Sequence, residues 1–374
     1  MWERFEPRPR DEPANALNHP AAVSPVTDGE NVYSFFKDFG LVSYDAAGNP
    51  RWKAPMGPFS NAMGQGGSPI LAGDSVVYLA DQLENSYIAA YDRRNGELRW
   101  KTTREESEGW GTPVLYQAPG MAPVILTASR GVIGAHRVSD GRRTMSQHGI
   151  SPTIVGSPVL EGDLYFVFGY GSEAATPFSA RLEKLDKNHD GRLTPDEYKG
   201  DAFMLSVGRF GGNRDLVVTQ DEWDERQREV IGFNGLVAYQ LERGAGGLHP
   251  RELWRYQRSF TGVIPSALLY QGILYIVKNG AILTSFDART GRVLKTGRIP
   301  GALGGYSSSP VVAEGRIYIA SEDGKLAVLR AVGDWELLAL NDLGETCFAT
   351  PALADGAIYL RTGEALYRFG SLTR

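Results

Sequence analysis

The stretch Gly67 to Trp100, GSPILAGDSVVYLADQLENSYIAAYDRRNGELRW, decides how the rest of the chain is read. It holds four strand candidates. Ser68-Pro69-Ile70-Leu71 is short and apolar. Ala72-Gly73-Asp74 then turns the chain into residues 75–80, whose β-branched and aromatic side chains suit a pleated, half-buried surface. Residues 87–91 form the third candidate. Asp92-Arg93-Arg94-Asn95-Gly96 closes a hairpin, because Asn-Gly accepts the positive φ angles of a tight turn, and Leu98-Arg99-Trp100 is the last strand. Four short antiparallel strands cannot bury both faces alone, so such a unit has to recur.

It does recur. A Ser/Thr-Pro or Pro-Ser marker opens each copy and places prolines at Pro25, Pro69, Pro113, Pro158, Pro265, Pro310 and Pro351, at intervals of 44, 44, 45, 107, 45 and 41 residues. All but one interval fit the period of about 40–50 residues expected of propeller blades. A strand of shared appearance follows the markers, as in Val32-Tyr33, Val77-Tyr78, Leu164-Tyr165, Leu274-Tyr275, Ile317-Tyr318 and Ile358-Tyr359. The pattern predicts an all-β, seven-bladed β-propeller, or eight blades in a longer natural chain, spanning residues 1–171 and 232–374. The surplus in the long interval predicts one insertion, 172–231, between the second and third strands of the fourth blade.

The segment Ala90-Tyr91-Asp92-Arg93-Arg94-Asn95-Gly96-Glu97-Leu98-Arg99-Trp100 resembles the A-x-D-x-x-T-G-x-x-x-W repeat of the quinoprotein (PQQ-like) β-propellers, with Asn95 in place of Thr. Tyr44-Asp45 to Trp52 is similar but one residue short, and Phe286-Asp287-Ala288-Arg289-Thr290-Gly291 is similar until Lys295 stands where Trp is expected. The likeness covers the chain outside the insertion. It speaks to fold rather than activity, since the same repeat serves alcohol dehydrogenases, assembly scaffolds and exported proteins of other roles.

The 374 residues carry 39 Lys and Arg against 44 Asp and Glu, a net charge of −5, with no basic run, which argues against nucleic acid and anionic membrane surfaces as partners. The single cysteine, Cys347, permits no internal disulfide and reads as a small core residue. No apolar stretch approaches the roughly 20 residues of a membrane-spanning helix. The opening MWERFEPRPRDEP lacks the apolar core of a signal peptide. Resemblance to the family nonetheless implies a periplasmic or extracellular protein, so the compartment stays open at this point.

The two ends look complementary. Trp2-Glu3-Arg4-Phe5 resembles the closing strand of a blade, and the last marker is followed by only three strands, so pairing of Trp2–Phe5 beside residues 366–369 is expected to close the ring. Arg8–His19 is a polar connector. In a propeller the inter-blade links and the links between middle strands share one face. Residues 54–66, 102–109, 258–262, 297–307 and 341–345 are such links, and they nominate Asn61, Gln65, Trp110, Arg258, Phe260 and Tyr306 as ligand-face residues. The insertion should lie on that face too. His136 and His148 have no second ligand at metal spacing and read as core or surface residues.

Within the insertion, Asp186-Lys187-Asn188-His189-Asp190-Gly191-Arg192-Leu193-Thr194-Pro195-Asp196-Glu197 matches the D-x-[DN]-x-[DN]-G-x5-E calcium loop of EF-hands. Its expected ligands are the side chains of Asp186, Asn188 and Asp190, the carbonyl of Arg192, Thr194 directly or through water, and a bidentate Glu197, an oxygen cage suited to Ca²⁺. Phe178, Leu182 and Leu185 supply the apolar stripe of an entering helix, and Thr194-Pro195-Asp196-Glu197 is a capping box that predicts an exiting one. Thr219-Gln220-Asp221-Glu222-Trp223 marks a second, degenerate hand running from Gly211 through Asn213 and Asp215, with Leu216 at the turn position, which is expected to bind metal poorly.

These readings favour a non-catalytic propeller that binds a protein or carbohydrate on one face, with a calcium-stiffened insertion. The alternative is a PQQ- and calcium-dependent dehydrogenase. The resemblance implies for that activity a stacking Trp, an adjacent Cys-Cys pair and an Asp base, and a chain with one cysteine lacks the pair. PQQ is therefore disfavoured, no catalytic residue is nominated, and no G-x-S-x-G sequence supports a hydrolase.

Overall fold

The computed structural model describes residues 2–6, 9, 18, 22–61, 63–172, 174–244, 247–258, 260 and 262–370. Their strands form seven antiparallel sheets, each built from strands consecutive in sequence, the seven blades of a β-propeller. The blades span 26–55, 70–103, 114–148, 159–169 with 235–257, 268–298, 311–342 and 352–369. The insertion leaves after Gly169 and returns at Gly235, which are register partners in the fourth blade, so the expected position of the insertion and the blade count both hold. Of the connector Arg8–His19, only Pro9 and Asn18 belong to the described residues.

Contacts divide the chain into two compact units, Met1–Ile154 with Tyr170–Asn234, and Val155–Gly169 with Gly235–Arg374. The inserted segment thus groups with the first three blades. In the first unit one apolar cluster joins blades one and two through Tyr33, Phe35, Trp52, Val76 and Tyr78, and another joins blades two and three through Val77, Ile88 and Ile125. In the second unit the same face-to-face packing runs through Phe166, Leu274 and Phe286, then Tyr275, Leu283 and Ile317, then Ala320, Cys347 and Leu360. Cys347 is the buried core residue that its context implied. Two middle strands, Ser75–Ala80 and Leu164–Gly169, are covered on both faces and buried at every residue. The outermost strand of the first blade, Pro50–Pro55, alternates instead, with only Trp52 and Ala54 buried.

Two recurring contacts join neighbouring blades. The first explains the terminal Trp of the repeat. Trp52 lies on the turn glycine of the next blade, so close that a Cβ on Gly96 would come within 2.6 Å of the ring, and its Nε1–H donates to the Arg93 carbonyl at 3.0 Å. Trp100 docks the same way on Gly141 and Val138, and Trp254 on Gly291 and Ala288. The second contact explains the marker. The hydroxyl beside five of the seven marker prolines accepts the backbone N–H of its counterpart one blade earlier: Ser24 N–H donates to Ser68, Ser68 to Thr112, Ser157 to Ser266, Ser266 to Ser309 and Ser309 to Thr350, at 2.9–3.0 Å. Each such bond satisfies a backbone donor that an inner strand would otherwise leave unpaired.

Trp2 repeats the docking on the first blade, with its ring over Gly48 and its Nε1–H donating to the Ala46 carbonyl at 2.9 Å. The segment is held further by Glu6, which accepts from Lys53 Nζ at 2.6 Å. No strand is assigned to Trp2–Glu6, and the seventh sheet has three strands among the described residues, so the N-terminal segment is fixed by its tryptophan rather than by the expected strand pairing.

The docking sets a test. Gly96 and Gly73 both have positive φ, 77° and 58°, but Gly73 has open space where a Cβ would stand. Gly73→Ala should cost about 1 kcal/mol through backbone strain alone, and Gly96→Ala roughly 1–3 kcal/mol more through overpacking against Trp52. Urea midpoints measure the difference, and equal losses would remove the ring from the explanation.

Candidate functional site

The inserted segment is tied down at its base by bridges pairing Thr153 with Tyr170 and Ser172 with Ile231. Among the described residues it carries three helices, α1 (Ser179–Leu185), α2 (Ala202–Phe210) and α3 (Gln220–Val230). Phe178, Leu193, Tyr198, Met204, Val207, Val218 and Trp223 form its own core, against which Leu182 and Leu185 pack. The apolar stripe and Trp223 therefore act as the sequence implied. The helix expected after Thr194 is reduced to a turn: Glu197 caps Thr194, and Gly200, at φ 85°, redirects the chain before α2 begins.

The two loops of the insertion are copies of one another. The Asn188 side chain accepts from Asp190 N–H at 3.1 Å and Asp190 from Arg192 N–H at 2.9 Å; 25 residues later Asn213 accepts from Asp215 N–H at 3.1 Å and Asp215 from Val217 N–H at 2.8 Å. Glu197 and Glu222 each accept from the N–H of the Thr three residues before, and Leu193 bridges Val218 between the loops. Leu216 takes φ 68° where the first loop has Gly191 at 76°, so the backbone shape survives loss of the glycine. Asp186 Oδ2 accepts from Gly191 N–H, while its Oδ1 is buried without a hydrogen-bond partner. Among the described residues no three His, Cys, Asp or Glu side chains cluster tightly enough to hold a metal ion. Asp186, Asp190 and Glu197 thus share the loop, each with at least one oxygen engaged by its backbone N–H groups, without converging on one point.

α3 is fastened to the second and third blades by ion pairs. Arg226 Nη2 meets the buried Glu108 at 2.6 Å, its Nη1 meets Glu229 at 2.6 Å, and Arg130 also contacts Glu229. Arg214 pairs with Glu84 nearby. Beside this latch lies a cavity of about 280 Å³ walled by Trp110, Arg130, Tyr170, Phe203, Trp223 and Arg226.

Trp110 is the one nominated ligand-face residue that the structure sets in this cavity, held by an Nε1–H bond to the Gly64 carbonyl at 3.0 Å. Asn61 and Gln65 are buried in the first unit, Asn61 donating to the Asp81 carbonyl and Gln65 accepting from Tyr78. In the second unit Arg258 is exposed, over the Tyr256 ring. Phe260 and Tyr306 are also buried, at 3% and 1% exposure, Phe260 against Phe168 and Tyr306 donating to the Ala302 carbonyl. A loop position in sequence does not reveal whether an aromatic ring folds back onto its own blade. Arg130, Arg226 and Glu229 escaped the sequence reading, because ordinary surface residues about a hundred positions apart carry no shared pattern.

A family model described as Outer membrane protein assembly factor BamB matches residues 11–186 and 224–370. The chain belongs to this family. Residues 187–223, which hold most of the first insertion loop and all of the second, fall outside the match. The chain is 22% identical over 349 residues to the outer membrane protein assembly factor BamB of Yersinia pestis, covering 92% of this chain and 72% of that protein. Among solved structures it is similar to BamB from Moraxella catarrhalis, with a TM-score of 0.59 and 12% identity over 91% of this chain and 81% of that one. It is also similar to a europium-containing methanol dehydrogenase, with a TM-score of 0.54 and 12% identity over 94% and 76%. Likeness at such identity extends to the fold alone, and that fold carries an assembly factor and a dehydrogenase.

Beneath the loop that presents Glu108 and Trp110 lies a buried polar network. Arg104 donates to Asp81 at 2.7 Å and to Thr127 at 3.2 Å, and its Nη1 lies 2.8 Å from His136 Nε2. His136 Nδ1 lies 3.1 Å from the Gly141 carbonyl. A guanidinium only donates and a carbonyl only accepts, so the imidazole must be the neutral Nδ1–H tautomer. Burial, reinforced by the Arg104 charge, depresses His136 to about 4. The unfolded chain takes up this proton near pH 6.5, so stability is retained above that pH and declines as the pH falls towards 4, by roughly 3 kcal/mol in all. The urea midpoint of His136→Gln should fall less steeply than wild type between pH 6.5 and 4, and parallel slopes would contradict the assignment.

Proposed function

We propose that this chain is a non-catalytic scaffold that binds a partner protein during assembly of outer-membrane proteins, and that it works on the outer-membrane side of the envelope. The observation that carries the reading is the family match, which runs through all seven blades and takes the assembly factor, not the dehydrogenase, as its description. A protein partner is preferred to a carbohydrate because the relatives it resembles are assembly factors. Deletion of the gene in its native cell should lower the content of outer-membrane β-barrel proteins, with restoration by the intact chain. An unchanged β-barrel content would overturn the reading, as would a spectral shift on titration with PQQ.

The insertion is proposed to be a pair of EF-hands in which the first loop binds Ca²⁺. Three features support this: the complete twelve-residue pattern from Asp186 to Glu197, the duplicated loop geometry bridged by Leu193 and Val218, and the buried, unpartnered Oδ1 of Asp186. Asp186, Asn188, Asp190, Thr194, Glu197 and the Arg192 carbonyl would hold the ion, whose charge would offset the repulsion among three carboxylates. Binding should stabilise the insertion by about 2.7 kcal/mol when free Ca²⁺ is a hundred times its dissociation constant. Calorimetric titration of chelated protein should give a single site that Glu197→Gln weakens by at least about tenfold, through loss of the bidentate ligand. No heat at millimolar Ca²⁺, or an isotherm unaltered by Glu197→Gln, would sink the proposal.

A further inference from the structure

The cavity between α3 and the second and third blades mixes flat apolar surface with charge. Trp110, Tyr170, Phe203 and Trp223 supply the rings, Arg130, Arg181 and Arg226 supply cationic donors, and Glu108 supplies one buried carboxylate. The charges do not play equal parts. Glu108, 2% exposed, is committed to Arg226 at 2.6 Å, because breaking that contact would leave a buried carboxylate and a nearly buried guanidinium unpaired. Glu229, 40% exposed, instead brings one oxygen to both Arg130 and Arg226. Its carboxylate lies at the edge and can return to water cheaply, whereas the two guanidiniums, 15% and 13% exposed, cannot follow it. Arg226 Nε is also buried without a hydrogen-bond partner, and its guanidinium lies over the Phe203 ring at 5.6 Å. The arrangement is a two-arginine clamp beside an aromatic box, with a carboxylate of the chain itself as its present occupant.

We propose that this cavity binds a small aromatic carboxylate, whose carboxyl group displaces Glu229 from Arg130 and Arg226 while its ring fills the space beside Trp110 and Phe203. At about 280 Å³ the space suits a single ring with a short acidic arm, just below the usual range of drug-sized pockets. Planar bidentate recognition of a carboxylate is what paired guanidinium groups do best, and aromatic walls add stacking. Glu229 then acts as an internal competitor, which sets the affinity of the site without touching the ligand. This inference does not depend on the role proposed in outer-membrane assembly, nor on calcium, since none of its residues belongs to the first loop.

The test uses the full chain with 3-phenylpropanoate, N-acetylphenylalanine and the neutral N-acetylphenylalaninamide, followed by calorimetry and tryptophan fluorescence. The two carboxylates should bind and the amide should not. Tighter binding of N-acetylphenylalanine than of 3-phenylpropanoate would identify the terminal residue of a polypeptide as the source, and the reverse a free acid. Glu229→Gln should tighten carboxylate binding by about tenfold, the worth of one charge-assisted hydrogen bond, and Arg130→Gln should weaken it by a similar factor. A structural salt bridge would not behave in this way, because its loss could only loosen the site. Binding of the amide as strongly as of the acid, no tightening in Glu229→Gln, or no binding to either wild type or Glu229→Gln would overturn the proposal.

Discussion

The structure depends on a flat ring meeting a bare backbone. Where Trp52, Trp100 and Trp254 cross to the next blade, they land on Gly96, Gly141 and Gly291, positions with positive φ and no room for a side chain. One contact thereby meets three demands: the indole is wholly or partly buried, its N–H finds a carbonyl, and the turn is locked against the neighbouring blade. Trp2 makes the same contact on Gly48, which gives an N-terminal segment without strand pairing a defined place on the first blade. On the inner strands the hydroxyl relay from Ser24 to Ser68 to Thr112 does the complementary work with polar atoms.

A scaffold fastened blade to blade can absorb an insertion where two strands of one blade are already paired. Gly169 and Gly235 are opposite one another in the fourth blade, so the chain leaves and re-enters at nearly the same point and the loop-closure cost grows only slowly with insertion length. The inserted helices bury Trp223 in a core of their own, yet they do not stand apart. Ion pairs from Arg226, Glu229 and Arg214 reach Glu108, Arg130 and Glu84 on the blades of the same unit. These contacts, with the aromatic walls between them, make the cavity a property of the insertion and the blades together.

Buried charge recurs in this unit. Arg104 and Asp81 are each 1% exposed, and such a pair adds little net stability, but breaking it strands a charge. Because His136, Thr127 and Ser129 complete the network, the loop carrying Glu108 and Trp110 rests on groups that cannot rearrange independently.

The sequence by itself determined the blade count, the site of the insertion and the twelve-residue pattern in its first loop, because each is written as short-range periodicity or spacing. The Asn95-Gly96 turn and the seven marker prolines are local signals, and local backbone preference is enough to read them. Only the tertiary structure decided that Phe260 and Tyr306 turn inward, that the helix expected after Thr194 stops at Gly200, and that Trp2 docks by its ring. It alone brought Arg130 to Glu229 and Arg226 to Glu108, 99 and 118 residues apart in the chain. Charge pairing at such separation leaves no periodic trace, since any surface arginine could serve until folding places one beside a buried carboxylate.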